Sequence, residues 1–298
     1  MTAKEALSYY ADLSTFFDKT VDRKRFIYQI HENDDYEKAF KNNPSDLQKV
    51  YWQEILQRAH WAAFSALLRN LKWANGANNA IADHNLLSFT ANLRCLIESS
   101  GDNLLSLQAV SATLAENNQN IMKCLDGILD GNILYVAKEL EETLIHFAYA
   151  RKITEEEKKL QGKLPKYQNA KPASEYLKRL DNKIDNGPIN DLYSILCQFT
   201  HPAAHSIHYM FDITLDGNLY KFSYSSNADK KYIDLILTFY NEEIIKTLML
   251  GFNPCLLTLK TLNLFNYASI KTPEVDNINL DELGAWKNVM QKFNLSQQ

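Results

Sequence analysis

Apolar residues recur at helical spacing through most of this chain, and only one stretch alternates strictly. Between Asn43 and Trp73, the residues Ile55, Leu56, Ala59, Ala63, Ala66, Leu67 and Leu71 share one side of a helix, because residues three and four apart lie on one face. Asn43-Pro44-Ser45-Asp46 is its start signal, and Asn75 to Asn85 reads as a polar break. Leu86 to Val110 is apolar nearly all round, which predicts a central helix. Further amphipathic helices are expected over 112–127, 132–150, 229–251, 254–266 and 281–293, with short helices in 4–40 and an acidic loop over 272–283. Leu192, Ile195, Leu196 and Phe199 form the stripe of another helix. Asn186-Gly187 precedes it, and Pro188 suits a first helical position, where its missing N–H would be unpaired anyway. Pro202 disfavours helical geometry at His201, so this helix should end near Thr200 or His201.

The alternating stretch runs from Tyr209 to Tyr224 around Asp216-Gly217, a two-residue turn signal that needs positive φ. That turn would set Phe211 opposite Phe222 and Asp212 opposite Lys221, with Leu215 closing against Asn218. One face is then apolar and aromatic, and it should pack on helices or on a partner, because an isolated hairpin is marginal in water. The fold expected is mainly α, a multi-helix bundle with one inserted β-hairpin at about 209–224. In linear order it divides into short helices over 1–42, a helical domain over 43–266 and a loop and helix over 267–298. The central part contains a charged connector, 151–185, and the hairpin region, 206–224.

Two polar constellations interrupt the apolar stripes. On the central helix, Thr90, Arg94, Glu98 and Asp102 form a ridge at four-residue spacing, widened by Asn92 and Ser99. In so apolar a helix these charges require partners; the ridge is either a structural ion pair fixing register or one wall of a cleft. On the helix ending at Pro202, Tyr193, Cys197 and His201 lie one turn apart, and His205 and His208 follow. Three of the seven histidines thus fall within eight residues. His201 and Arg94 are expected to converge, with Glu98 orienting either. His201, His205, Glu98 and Asp102 include metal-ligand types, but Pro202 spoils regular presentation of the two histidines. His60 and His84 read as structural or surface residues.

Composition narrows the function classes. The chain has 298 residues, is 46% hydrophobic and carries a net charge of −4, so no global charge drives nucleic-acid binding. Only nine glycines are present, against glycine-rich phosphate loops. The four cysteines (Cys95, Cys124, Cys197, Cys255) are scattered without a Cys-x-x-Cys, which reads as reduced thiols. Within 151–185 ten basic residues face six acidic ones, the pattern of a solvated connector or of a phosphate-facing surface. The first residues lack a signal-peptide core. The apolar run Thr247 to Leu259 is shorter than the ~20 residues of a membrane span, and Asn253-Pro254 interrupts it. A cytoplasmic protein without a membrane partner is expected.

Leu93-Arg94-Cys95-Leu96-Ile97-Glu98 resembles the Arg-x-x-x-Glu helix of a bacterial group related to the HEPN superfamily. The run from Tyr193 through His201-Pro202 to His205 resembles that group's Tyr-x-x-x-Ser-x-x-x-His-Pro motif, with Cys197 in place of the serine. The similarity spans roughly 50–265, so the resemblance makes 43–266 a HEPN-like helical domain. It implies a helical bundle, often dimeric. It further implies a metal-independent ribonuclease without cofactor, of the kind found in toxin–antitoxin and antiphage systems. RNA, a second copy and a protein encoded nearby are the partners it implies. His201, Arg94 and Glu98 would be catalytic, supported by Asp102, Tyr193, Cys197 and His205. Nuclease members carry an arginine separated from the histidine by four to six residues; Ser194, Ile195 and Leu196 stand there in this chain, leaving Arg94, from another helix, as the candidate cation. The other reading is a non-catalytic helical binding module in a defence or regulatory assembly.

Overall fold

A computed structural model describes residues 1–29, 31, 33–128, 135–159, 169–184, 189–202 and 204–295. The chain is mainly helical with one antiparallel two-stranded hairpin. In order come α1 (Ala3–Thr20), α2 (Asn33–Asn42), α3 (Pro44–Ala82), α4 (Leu86–Leu107), α5 (Val110–Glu116), α6 (Asn118–Asp126), α7 (Lys138–Tyr149), α8 (Glu155–Lys159), α9 (Ala173–Asp181) and α10 (Ile189–Thr200). The short α11 (His205–His208) leads into β1 (Phe211–Asp216) and β2 (Leu219–Tyr224), and α12 (Ala228–Phe239), α13 (Asn241–Leu264) and α14 (Gly284–Leu295) complete the chain. No helix among the described residues is long and apolar enough to cross a membrane.

The chain forms two compact units, each assembled from separated stretches. The first comprises 1–20, 68–104 and 173–252. Its core gathers Leu7, Phe89, Leu93, Leu96, Leu192, Leu196 and Leu248, all nearly or fully buried, and stacks Tyr10 on Phe252 at 3.9 Å between ring centroids. The second comprises 21–67, 105–172 and 253–298. There Trp52 is fully buried, stacks on Tyr135 and donates its indole N–H to the Tyr135 carbonyl at 3.0 Å.

Several helix boundaries differ from those the sequence suggests, each for a local reason. The polar run after Trp73 does not end α3, which continues to Ala82. Ala74, Ala77, Ala80 and Ile81 supply a buried face there, and packing outweighs the weak helix preference of the asparagines and Gly76. The expected 112–127 helix is split at Asn117, whose side chain donates back to the Thr113 carbonyl at 2.7 Å, a local bond that competes with helix continuation. The expected break at Pro254 is absent; α13 runs through it. The break falls instead at Tyr240, just before Asn241-Glu242-Glu243, where acidic residues occupy the first turn of α13. The first helix is an 18-residue element, not a short one. The turn signals Asn186-Gly187 and Pro188 lie outside the described residues; α10 begins at Ile189 and stops at Thr200, where Pro202 requires it to.

The hairpin has a different register from the one Asp216-Gly217 suggests. The loop is Gly217-Asn218, with Asp216 closing against Leu219, Ile213 opposite Phe222 and Phe211 opposite Tyr224. Only Gly217 takes positive φ (60°); a single such residue at the first loop position is the requirement of a II′ turn, whereas the Asp-Gly loop of the I′ type needs two. Asp212 therefore faces Ser223, and Lys221 reaches diagonally to Asp216 at 2.5 Å. Moving the loop by one residue moves each partner by two, so the odd residues of β1 still share a face with the even residues of β2. The expected packing of that aromatic face on helices is not seen among the described residues. Ile213, Leu215, Tyr220, Phe222 and Tyr224 are all exposed, and only Phe211, at the root, is half-buried.

Candidate functional site

The site is built from α4 and α10, both contributing to the first unit. Leu93, Leu96 and Ile97 turn one side of α4 into the core, which brings Arg94 and Glu98, one turn apart, to its rim. The side chains of Arg94 and Glu98 are 27% and 32% exposed. The helix is thus not buried all round, and the ion pair is half-buried, not sealed in the interior. On α10, Leu192, Leu196 and Phe199 are buried, while Tyr193, Cys197 and His201 follow one another at four-residue spacing on the adjoining face.

The structure brings Arg94, Glu98, Tyr193 and His201 together. The Tyr193 hydroxyl donates to Glu98 Oε1 at 2.5 Å and accepts from Arg94 Nε at 3.2 Å. Arg94 Nε also lies 3.2 Å from Glu98 Oε1, and its guanidinium sits 5.4 Å from the centre of the Tyr193 ring. Burial, and then the bond to Glu98, push the Tyr193 phenol up to about 12. The bond that Arg94 donates to Tyr193 shifts the guanidinium upward, so it stays charged. Both of these contacts engage Nε, which leaves the Nη1 end of the guanidinium directed outward. Arg94 Nη1 points at Nε2 of His201, 3.4 Å away. A guanidinium can only donate, so this contact requires Nε2 to be an acceptor, with the proton on Nδ1. His201 is exposed, held at the end of α10 by the bond from its N–H to the Cys197 carbonyl at 2.9 Å.

The remaining candidates separate. Asp102 pairs with Arg69 at 2.6 Å, and the same guanidinium nitrogen donates to Asn103 Oδ1 at 2.7 Å. This second ion pair, on the same helix as the first, belongs to α3–α4 packing. Arg69 was the missed partner; its signal was a lone charge in the apolar run Ala66 to Leu71. Cys197 is half-buried between Tyr193 and His201 and interacts electrostatically with Arg94. His205 points elsewhere: its ring meets Phe199 edge-on at 6.2 Å and lines a 490 Å³ groove with Ile195, Tyr232, Leu235 and Phe239. His208 is exposed. Among the described residues no three His, Cys, Asp or Glu side chains gather as a metal ion would require.

Two features were not legible as pattern. Gly101, three residues beyond Glu98, is where α9 closes on α4; a Cβ there would lie 2.7 Å from the Tyr176 carbonyl oxygen. In the second unit, Tyr28, Gln57, Arg58, Trp61 and Tyr149 line a 280 Å³ pocket, in which Arg58 pairs with Glu54. His60 is fully buried in that unit, bonded to Tyr28 and Thr272 at 2.6 Å each, which makes it structural. Compared with family models, with curated proteins and with solved structures, the chain matches none of them.

Proposed function

We propose that this chain is a HEPN-like, metal-independent endoribonuclease-type effector of a toxin or antiphage defence system, acting on RNA in the cytoplasm. The observation that carries the reading is the approach of Arg94 to His201 at the open end of α10, with Tyr193 and Glu98 holding the arginine from behind. Cleavage by the neighbouring 2′-hydroxyl needs a proton acceptor beside that hydroxyl and a cation beside the non-bridging phosphate oxygens. Nε2 of His201 is such an acceptor, and the outward edge of Arg94 is such a cation. The 2′-oxygen attacks phosphorus while its proton passes to His201. The bond to the 5′-oxygen breaks, and that oxygen is protonated from water, leaving a 2′,3′-cyclic phosphate and a 5′-hydroxyl. A phosphodiester would displace the long Arg94–His201 contact and engage both groups.

The purified protein should cleave RNA in excess EDTA with cyclic-phosphate ends. His201→Ala should lower the rate by about 10²–10⁴, the usual range for a lost general base, with the far-UV circular dichroism unchanged because the residue is exposed. Arg94→Lys keeps the charge but loses the planar fork, and should lower the rate by about 10²-fold on the scale of one lost transition-state donor. A well-folded wild type that leaves diverse RNAs intact would favour the non-catalytic module, for which the commitment of Arg94 to Tyr193 and Glu98 is the supporting observation. Activity abolished by EDTA would remove the metal-independent mechanism.

A further inference from the structure

We propose that the hairpin is a self-association surface, the apolar face of one copy packing against the same face of a second copy. The ribbon bears five large apolar side chains on one face: Ile213 (42% exposed), Leu215 (64%), Tyr220 (68%), Phe222 (58%) and Tyr224 (70%). An aromatic side chain can bury about 150–250 Å². Scaled by these exposures, with somewhat less for Ile and Leu, the face presents on the order of 600 Å². The largest apolar patch on a typical monomer is about 300–600 Å², and a stable complex buries about 800 Å² per partner. The face alone therefore supplies most of one standard interface, and its rim supplies the rest.

The chemistry of the face selects the occupant. All three charges of the two strands, Asp212, Asp216 and Lys221, lie on the opposite face and sum to −1. No cation stands among the aromatic rings to meet a phosphate, so an unpaired nucleic acid would stack without the charge neutralisation that dominates its affinity. An uncharged, apolar face is complementary to itself. Two-fold packing sets the same patch of both copies together, residue i meeting j and j meeting i, with only residues beside the axis meeting their own twins, and two sheet faces pack at about 10 Å with interleaved side chains. The strands also lack the devices that keep a lone ribbon from associating: they contain no proline, their pairing is regular without a bulge, and no charge points from the apolar face. The hairpin is covalently continuous with α11 and α12, and Tyr209 at its base is buried against Phe199 and Tyr232, at 5.7 and 5.9 Å between centroids. The ribbon is thus anchored at its root and bare along its length.

Sedimentation velocity from low to high micromolar concentration tests this on the full chain. The wild type should sediment as a dimer. Phe222→Glu should weaken the dimer by at least about 30-fold, the effect of losing one central apolar anchor, while circular dichroism and the thermal midpoint of the monomer stay unchanged because the residue is exposed. Ser223→Asp, on the opposite face, should leave association as it was. As an independent readout, Phe222→Cys should form a disulfide between copies on mild oxidation. A wild type that stays monomeric across the range overturns the proposal, as does a dimer that Phe222→Glu leaves intact. A monomer that binds a short fluorescent oligouridine, and loses that binding with Tyr220→Ala and Tyr224→Ala, overturns it in favour of a nucleic-acid platform.

Discussion

Acidification should destabilise this protein through one buried histidine. His60 is fully buried, and its two ring nitrogens meet the Tyr28 hydroxyl and the Thr272 hydroxyl at 2.6 Å each. A neutral imidazole uses both contacts, donating to one and accepting from the other; an imidazolium could only donate, and one hydroxyl would have to turn away. Burial, with a smaller contribution from Lys24, pulls the His60 pKa down from 6.5 to about 4, and Glu274, which pairs with Lys24 at 2.7 Å, opposes this slightly. The folded state therefore prefers the neutral ring. The stability it contributes is complete above the unfolded value near 6.5 and is lost as pH falls toward 4. Linkage over that interval amounts to ~2 kcal/mol between pH 7.5 and pH 5, rising to ~3 kcal/mol at pH 4. The assay is urea unfolding at several pH values, for the wild type and for His60→Gln. Other groups titrate in both proteins, so the difference between them isolates the histidine. His60→Gln should be less stable at pH 7.5 but should lose ~2 kcal/mol less on going to pH 5. Parallel pH profiles for the two proteins would refute the reasoning.

Two further outcomes follow from the geometry around the site. Gly101→Ala should destabilise by ~1–2 kcal/mol, because the new methyl meets the backbone of Tyr176 at 2.7 Å and overpacking outweighs the gain in helix propensity; thermal unfolding reads it, and an unchanged midpoint would mean that α9 can retreat freely. Arg94→Ala should cost only about 1 kcal/mol, since the pair is about a third exposed and Glu98 keeps the Tyr193 donor; Asp102→Asn should cost at least as much by weakening the Arg69 pair, whose carboxylate is better buried than that of Glu98, yet leave any RNA cleavage within a few-fold of wild type. A larger stability loss for Arg94→Ala than for Asp102→Asn would reverse this ranking.

Periodicity by itself determined the helical class, the helix carrying Arg94 and Glu98, the end of α10 at Pro202 and the existence of the hairpin. Each depends on local sterics or on a repeat that matches one backbone geometry. The four-residue spacing also placed Tyr193, Cys197 and His201 on one face. What it could not supply was distance between elements. Arg94 and His201 are 107 positions apart in sequence, and only the packing of α4 on α10 sets their separation. The same holds for Asp102, drawn to Arg69 by helix contacts that no spacing announces. Packing also carried α3 through its asparagines and α13 through Pro254, because buried apolar faces outweigh residue preferences of about 1 kcal/mol or less for Asn and Gly and about 3 kcal/mol for an interior Pro. The hairpin divides the two most clearly. Alternation fixed which residues share its aromatic face, since a strand has a period of two. The turn type fixed the register, through the single positive φ at Gly217. Whether that face is covered was decided by the tertiary structure alone, which leaves Tyr220, Phe222 and Tyr224 exposed.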